Sequence, residues 1–310
     1  MISRLKNAAR RLVAPRDAST EILPGNWQPP SATDADIAYH VDFAITSGEA
    51  YRERAESMGV KIKGARFLEI GPGISFGPMA YVRAAGAVAT VTDRWLAPWT
   101  KGFHDRIYAA LADRLEGRPG FDTAPIRRMV AAGRYDDSAI ICLRDAAENL
   151  ESIPDNSYDA IVSNAVLEHI KDPARAFAEL FRVTRPGGVG LHQVDFRDHR
   201  DFSRPLDHLL LSPGEFLALN EGRSFEFGSQ LRQADYAVLL RGAGFEIERF
   251  DSNETAIAAY LDDLLSRLAA GRHPKRTEWT REGLSCLGGE FRLRKPSQAS
   301  SGQPAGAAEP

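Results

Sequence analysis

The chain is poor in cysteine: Cys142 and Cys286 are the only two among 310 residues. Two thiols so far apart in sequence give neither a disulfide framework nor a cysteine-rich zinc site, and a reducing cytoplasm is the expected location. Long apolar runs are missing too. None approaches the roughly 20 residues needed to cross a bilayer, and the first residues lack the apolar core of a signal peptide, so no integral membrane segment is expected. Excess charge of one sign is absent. The net charge is −3 with basic residues spread rather than massed, so no nucleic-acid partner is expected. What remains is a chain long enough for one large core, in one or two domains.

The most informative stretch is Arg66-Phe-Leu-Glu-Ile-Gly-Pro-Gly-Ile-Ser-Phe-Gly77. A short apolar run ends in a carboxylate, and a glycine-rich turn then opens a helix. Glycines at 71 and 73 permit backbone angles and a closeness of approach that a Cβ would forbid, so a nucleotide-type ligand can lie against the chain. Val88 to Asp93 is a second strand-like run ending in an acid, at the spacing of one βαβ unit, where that acid would accept from both ribose hydroxyls. Leu143-Arg-Asp145-Ala146 supplies a third acid after a third run. Tyr158 to Asn164 is a fourth run, opening into Ala165-Val-Leu-Glu-His169, and Gly188 to His192 a fifth, after the turn Arg185-Pro-Gly-Gly188. In a doubly wound sheet all these carboxyl ends line one crevice.

In their order, these residues resemble the class I S-adenosylmethionine-dependent methyltransferases, from about Arg66 to Val194. The resemblance implies an α/β, Rossmann-like, seven-stranded sheet, mostly parallel, with the last strand inserted antiparallel beside strand six, and S-adenosylmethionine as cofactor. By the same resemblance Glu69, Gly71, Pro72 and Gly73 would hold the methionine end. Asp93, with Arg94 beside it, would bind the ribose, and Asp145, with Ala146 alongside, the adenine amino group. Asn164 and the segment to His169 would flank the methyl donor, as in the branch that modifies small molecules. Ser75 departs from the pattern, standing where many relatives carry a third glycine that serves helix packing.

The remaining chain divides by composition. Residues 1–13 form a basic arm with Ile2, Leu5, Ala9 and Leu12 on one side of a candidate helix. Its two readings are a weak peripheral membrane contact and a frayed terminal helix, short helices being marginal alone. A linker rich in Pro, Ser and Thr runs to residue 33. The domain proper is expected over 34–295, beginning with a helix from Asp34 to Gly59 that offers Tyr39, His40 and Tyr51 to the cofactor or to packing. Between Asp93 and Asp145 more chain intervenes than one crossover needs. An insertion at about 95–138 is expected, with helices at about 103–116 and 122–132, and with Trp95 and Trp99 free to stack on ligand or anchor the helices. After strand five, a cap at about 196–230 is expected, where Gln230, Arg223 and Arg232 are candidates for an anionic or polyhydroxylated substrate. A helix over 233–241, strand six over 244–250, an amphipathic helix over 254–270 and a last strand over 290–294 follow. The tail, 296–310, has the composition of a disordered segment.

The chemistry implied is direct displacement at a sulfonium methyl, which asks the protein to align donor and acceptor in a dry pocket and, for a hydroxyl, to take a proton. Candidates for that proton are His199, Asp195 and His169, from the run His192-Gln-Val-Asp195-Phe-Arg-Asp198-His199 and from the segment after strand four. Alternatively, that run is a solvated loop of internal salt bridges. No metal is expected, since His192, Asp195 and His199 have ligand-like spacing that is not diagnostic. The Asp-x-x-Asp-His pattern resembles methyltransferases associated with bacterial surface-glycan assembly. Small-molecule O-methylation is therefore the expected function. An NAD-dependent oxidoreductase and a catalytically idle methyltransferase-fold scaffold are the rival readings, and oligomeric state is left open.

Overall fold

The computed structural model describes residues 32–221 and 227–297. The expected basic arm, nearly all of the linker, Arg223 and the tail beyond residue 297 lie outside the described residues.

Five short runs of apolar and β-branched residues form strands β1 (Arg66–Ile70), β2 (Val88–Thr92), β3 (Ile140–Leu143), β4 (Tyr158–Asn164) and β5 (Thr184–Asp195). Two more, β6 (Glu246–Thr255) and β7 (Cys286–Arg294), complete one sheet in the order β3-β2-β1-β4-β5-β7-β6. β1 to β5 pair in parallel, while β7 is antiparallel to both β5 and β6. This is the sheet the sequence predicts, with the strand reversal beside β1 that opens a ligand crevice at the carboxyl ends.

Alternation along each strand divides the core. Phe67, Ala89 and Val91 pack on one face with helices α1 (Asp34–Ser57), α2 (Gly77–Ala84), α3 (His104–Leu115) and α4 (Ala124–Ala132). Leu68, Ile70 and Ile161 pack on the other with α5 (Pro173–Val183) and α7 (Gln233–Gly242). α1 begins with a reciprocal cap: the Asp36 N–H donates to Thr33 Oγ1 at 3.2 Å, and the Thr33 N–H to Asp36 Oδ2 at 3.1 Å. Such a cap contributes about 1 kcal/mol. A third, smaller core of Leu206, Leu209, Leu261, Leu264 and Leu284 ties the chain after β5 to α8 (Ala258–Leu268) and α9 (Arg281–Ser285).

The boundaries differ from expectation at the antiparallel end. The predicted helix from 254 starts only at Ala258, because β6 continues to Thr255 along a β7 that itself begins at Cys286. Register shifts at Arg249, Glu254 and Thr255 absorb the polar residues that had marked a strand end. β5 likewise begins before its Pro-Gly-Gly turn. Tyr158 faces Thr184 and Ala160 faces Val189, so the turn is taken up as a bulge.

Candidate functional site

A cavity of about 870 Å³ opens at the carboxyl ends of the parallel strands. Gly71 and Gly73 form one wall, Asp93, Arg94 and Trp95 a second, Ala146, Ala147 and Glu148 a third, and Ala165, Val166, His169 and Lys171 a fourth. Gly214, Leu217, Ala218 and Asn220, from helix α6 (Pro213–Asn220), also line the cavity.

The glycine loop follows from its backbone. Gly71 has φ +63 and Gly73 φ +68, both left-handed. A Cβ at Gly71 would stand 2.6 Å from Val166 Cγ2, whereas a Cβ at Gly73 would meet nothing within 4 Å. Gly71 is thus required by the protein's own packing, and Gly73 leaves a bare stretch of backbone facing the cavity. Helix α3 clamps the loop from behind. His104 is fully buried; its Nε2 donates to the Ile74 carbonyl at 2.7 Å while its Nδ1 accepts from the Thr100 N–H at 2.7 Å. The Phe76 N–H donates to the Tyr108 hydroxyl at 3.2 Å. Nothing local in the sequence marks His104 or Tyr108 for this role.

The predicted cofactor residues fall into two groups. Gly71, Gly73, Asp93, Arg94 and Ala146 line the cavity, while Glu69, Pro72, Asp145 and Asn164 are not among its lining residues. Glu69 shares the face of β1 that carries Phe67, so its carboxylate turns toward α1, where it accepts from the Tyr51 hydroxyl at 3.1 Å. Burial pushes this carboxyl up to about 8 against the Tyr51 hydrogen bond, and its second oxygen has no hydrogen-bond partner. Asp145 ends its strand as predicted, but its carboxylate accepts from Ser152, whose N–H lies at 3.3 Å. Asp93 Oδ1 accepts from the Trp95 N–H at 2.8 Å, and burial raises this carboxyl above its ordinary value despite that bond and the charge of Arg94. Arg94 reaches Glu148 at 3.5 Å across the cavity edge.

Glu69 carries a pH prediction. The folded chain holds the Glu69 proton until about pH 8, whereas the unfolded chain releases it near 4.5. Unfolding therefore releases a proton across that window, and stability falls as pH rises through it. Glu69→Gln keeps an acceptor for Tyr51 and removes the titration. The variant's melting temperature should gain on the parent's steadily from pH 5 to 8; parallel curves for the two proteins would contradict this.

The other candidates also divide. Tyr51 packs under the loop, His40 lies against Ser75 and Phe103, and Tyr39 is exposed. Trp95 reaches the cavity, but Trp99 stacks on Tyr108 and meets Tyr135 edge-on within the insertion. Arg232 is not a substrate ligand: it is buried, donates to the Phe196 and Cys286 carbonyls, and is held down to about 10 by burial. Gln230 donates to the His208 and Leu211 carbonyls at 2.7 and 3.1 Å.

At the far wall, His169 packs on His199 with ring centroids 4.9 Å apart. His199 Nε2 stands 3.5 Å from Asp195 Oδ2, and Arg197 grips the same carboxylate at 2.7 Å. Burial alone would raise Asp195; His199 and Arg197 more than reverse it and hold the carboxyl well below the usual range. These partners favour the charged form of Asp195. His192 does not join it. Three residues apart on β5, the two face opposite sides of the sheet, and His192 is fully buried, 2.8 Å from Ser163 Oγ and pushed down to about 4. The residue that sequence reasoning missed is Glu168. Its side chain is 1% exposed, accepts from the Asp195 N–H at 3.3 Å, and is pushed up to about 8 by burial.

Comparison with known proteins finds methyltransferases. Residues 106–191 match the family model for a methyltransferase domain. A probable S-adenosylmethionine-dependent methyltransferase of Mycolicibacterium smegmatis is 30% identical over 165 residues, covering 47% of this chain and 58% of that protein. One from Mycobacterium tuberculosis is 28% identical over 195 residues, covering 54% and 65%. The chain thus spans less than two thirds of the length of these relatives. Among solved structures, an S-adenosylmethionine-dependent methyltransferase from Mesorhizobium loti superposes with a TM-score of 0.45 at 18% identity, over 77% of this chain and 95% of that one. The residues present fit the cofactor, with bare backbone at Gly73 and an acid at the end of β2, both on the cavity wall. The central part of the chain thus matches the methyltransferase-domain model, and over about half its length the chain is similar to probable S-adenosylmethionine-dependent methyltransferases.

Proposed function

We propose that the protein transfers the methyl group of S-adenosylmethionine to a hydroxyl of a small-molecule acceptor, a sugar of a bacterial surface glycan being the first class to try. The observation that carries this reading is the histidine wall. His169 lines the cavity, and His199 and the ionised Asp195 stand directly behind it. A cavity of about 870 Å³ lies near the top of the range of roughly 300–1,000 Å³ usual for small-molecule sites, which suits a cofactor and a compact acceptor together. Val166, Leu217 and Ala218 give it apolar surface against water.

When bound, the cofactor supplies an electrophilic methyl on a good leaving group. The chain's own part is to bind, orient and deprotonate. Gly71, Gly73, Asp93 and Arg94 would hold the donor, with Glu69 and Asp145 bracing the loops behind it. Helix α6, in the segment read as a cap, would cover the acceptor. His199, or His169 in contact with it, would take the hydroxyl proton, and the resulting imidazolium would be stabilised by Asp195. The free thiols of Cys142 and Cys286 suit action in the cytoplasm. No helix among the described residues is long and apolar enough to cross a membrane.

The test is S-adenosylhomocysteine release with a panel of hydroxylated small molecules, glycosides first. On an accepted substrate, His199→Ala and Asp195→Asn should lower turnover by about 100-fold or more, the range of general acid–base catalysis, with cofactor affinity nearly unchanged. Normal turnover in both variants would remove the histidine wall from the mechanism.

A further inference from the structure

Behind the cavity wall, Glu168, His169 and His199 each offer one ligand atom, and these atoms lie within 4.8 Å of one another. The sequence does not announce the group, since His199 joins Glu168 and His169 only because β5 returns its carboxyl end beside the short helical turn Leu167–His169. Glu168 is the second observation. Its side chain is 1% exposed, and among the described residues no lysine or arginine forms an ion pair with it and Oε2 has no hydrogen-bond partner. A buried carboxylate left half-satisfied is costly, and two imidazole nitrogens lie within 4.8 Å of it. His199 Nε2 also lacks an aligned hydrogen bond.

We propose that Glu168, His169 and His199 form a binding site for one divalent transition-metal ion of the zinc class. Two imidazoles with one carboxylate suit such an ion, whereas magnesium and calcium prefer sets made of oxygen. Bonds of about 2.0–2.1 Å in a tetrahedron put ligand atoms roughly 3.3 Å apart, so modest closure of exposed-side rotamers would complete the site. Asp195, 3.5 Å from His199 Nε2 and pinned by Arg197, is the carboxylate that would orient the His199 ring. Arg197, which pairs with Asp195, has Glu254 as its other partner.

Because His169 lines the cavity, an open position on the ion would face acceptor space. Resting on the proposed methyl transfer, the ion would act as a Lewis acid. The acceptor hydroxyl gives its proton to solvent, its oxygen forms the new bond to the methyl carbon as the sulfur–methyl bond breaks, and the ion changes neither oxidation state nor charge. The two histidines would then serve as ligands in place of proton acceptors.

The test uses the full chain, stripped with chelator and titrated calorimetrically with zinc, with cobalt(II) as a visible-band reporter of coordination, magnesium as control, and S-adenosylhomocysteine in parallel. The expected result is one zinc per chain and no magnesium. His199→Ala and Glu168→Gln should each weaken zinc by about 100-fold or more, since even residues that only orient metal ligands are worth 10- to 100-fold; both variants should bind S-adenosylhomocysteine as the parent does. A parent that binds S-adenosylhomocysteine but not zinc overturns the metal site and leaves the methyltransferase reading intact. Zinc bound equally by parent and both variants also overturns it. A parent that binds zinc but not S-adenosylhomocysteine overturns the use proposed for the ion, not the site.

Discussion

Gly71→Val should lower the melting temperature by on the order of 10 °C and remove cofactor binding, while Gly73→Ala, two residues on, should cost less stability, through backbone strain alone, and lose affinity. The contrast comes from where each Cβ would go. At Gly71 it would stand 2.6 Å from Val166 with φ at +63. A β-branched residue there costs about 1–2 kcal/mol in left-handed strain and about 1–3 kcal/mol in overpacking, and a few kcal/mol move the midpoint of a domain this size by roughly that many degrees. Val166 itself lines the cavity, so relief of the clash would deform the site. At Gly73 the Cβ would meet nothing within 4 Å. The strain remains, but the methyl group projects into space where ligand should lie against bare backbone. Thermal melts and S-adenosylhomocysteine titrations on both variants decide the matter. If Gly73→Ala binds as tightly as the parent, the loop is not the cofactor's cradle.

Asp93→Ala should weaken S-adenosylhomocysteine by about 10- to 100-fold, the value of one hydrogen bond to a charged acceptor at about 1.5–3 kcal/mol. Two roles need separating, because Asp93 also accepts from the Trp95 N–H. Asp93→Asn keeps an acceptor for that N–H and removes the charge. If the carboxylate binds the ribose, Asn should recover only part of the loss. Full recovery would mean that Asp93 merely anchors the turn that carries Trp95, and the crevice would lose its central ligand.

The sheet was readable from the chain because its strands are short apolar runs closed by an acid or a glycine turn, and because both insertion helices keep helical spacing close to their observed limits at His104–Leu115 and Ala124–Ala132. Residues whose backbone lies at a strand end, such as Gly71, Gly73 and Asp93, reached the cavity as expected. The failures share a cause, which is that side-chain direction and long-range partners decided them. The Glu69 carboxylate accepts from Tyr51 of α1, a partner 18 positions away in sequence. Arg232 reads as a surface cation, yet it spans from the start of α7 to carbonyls at 196 and 286. His104 carries no motif, and its bond to Ile74 crosses 30 positions of sequence. Glu168 lies in a segment the sequence singles out, but its burial beside Asp195 depends on β5 lying next to β4. The acceptor is hidden for a further reason. Methyl transfer demands alignment more than any fixed set of catalytic residues, so the donor side of the crevice is written in the chain more plainly than the acceptor side.

The central claim is that the crevice at the ends of β1, β2 and β4 binds S-adenosylmethionine. Calorimetric titration of the purified chain with S-adenosylmethionine, S-adenosylhomocysteine and NAD in parallel tests it most directly. The account predicts saturable binding of the first two at one site per chain, lost in Gly73→Ala and weakened in Asp93→Ala, and no heat with NAD. Binding of NAD with neither sulfur ligand bound would contradict it and make the crevice that of an oxidoreductase.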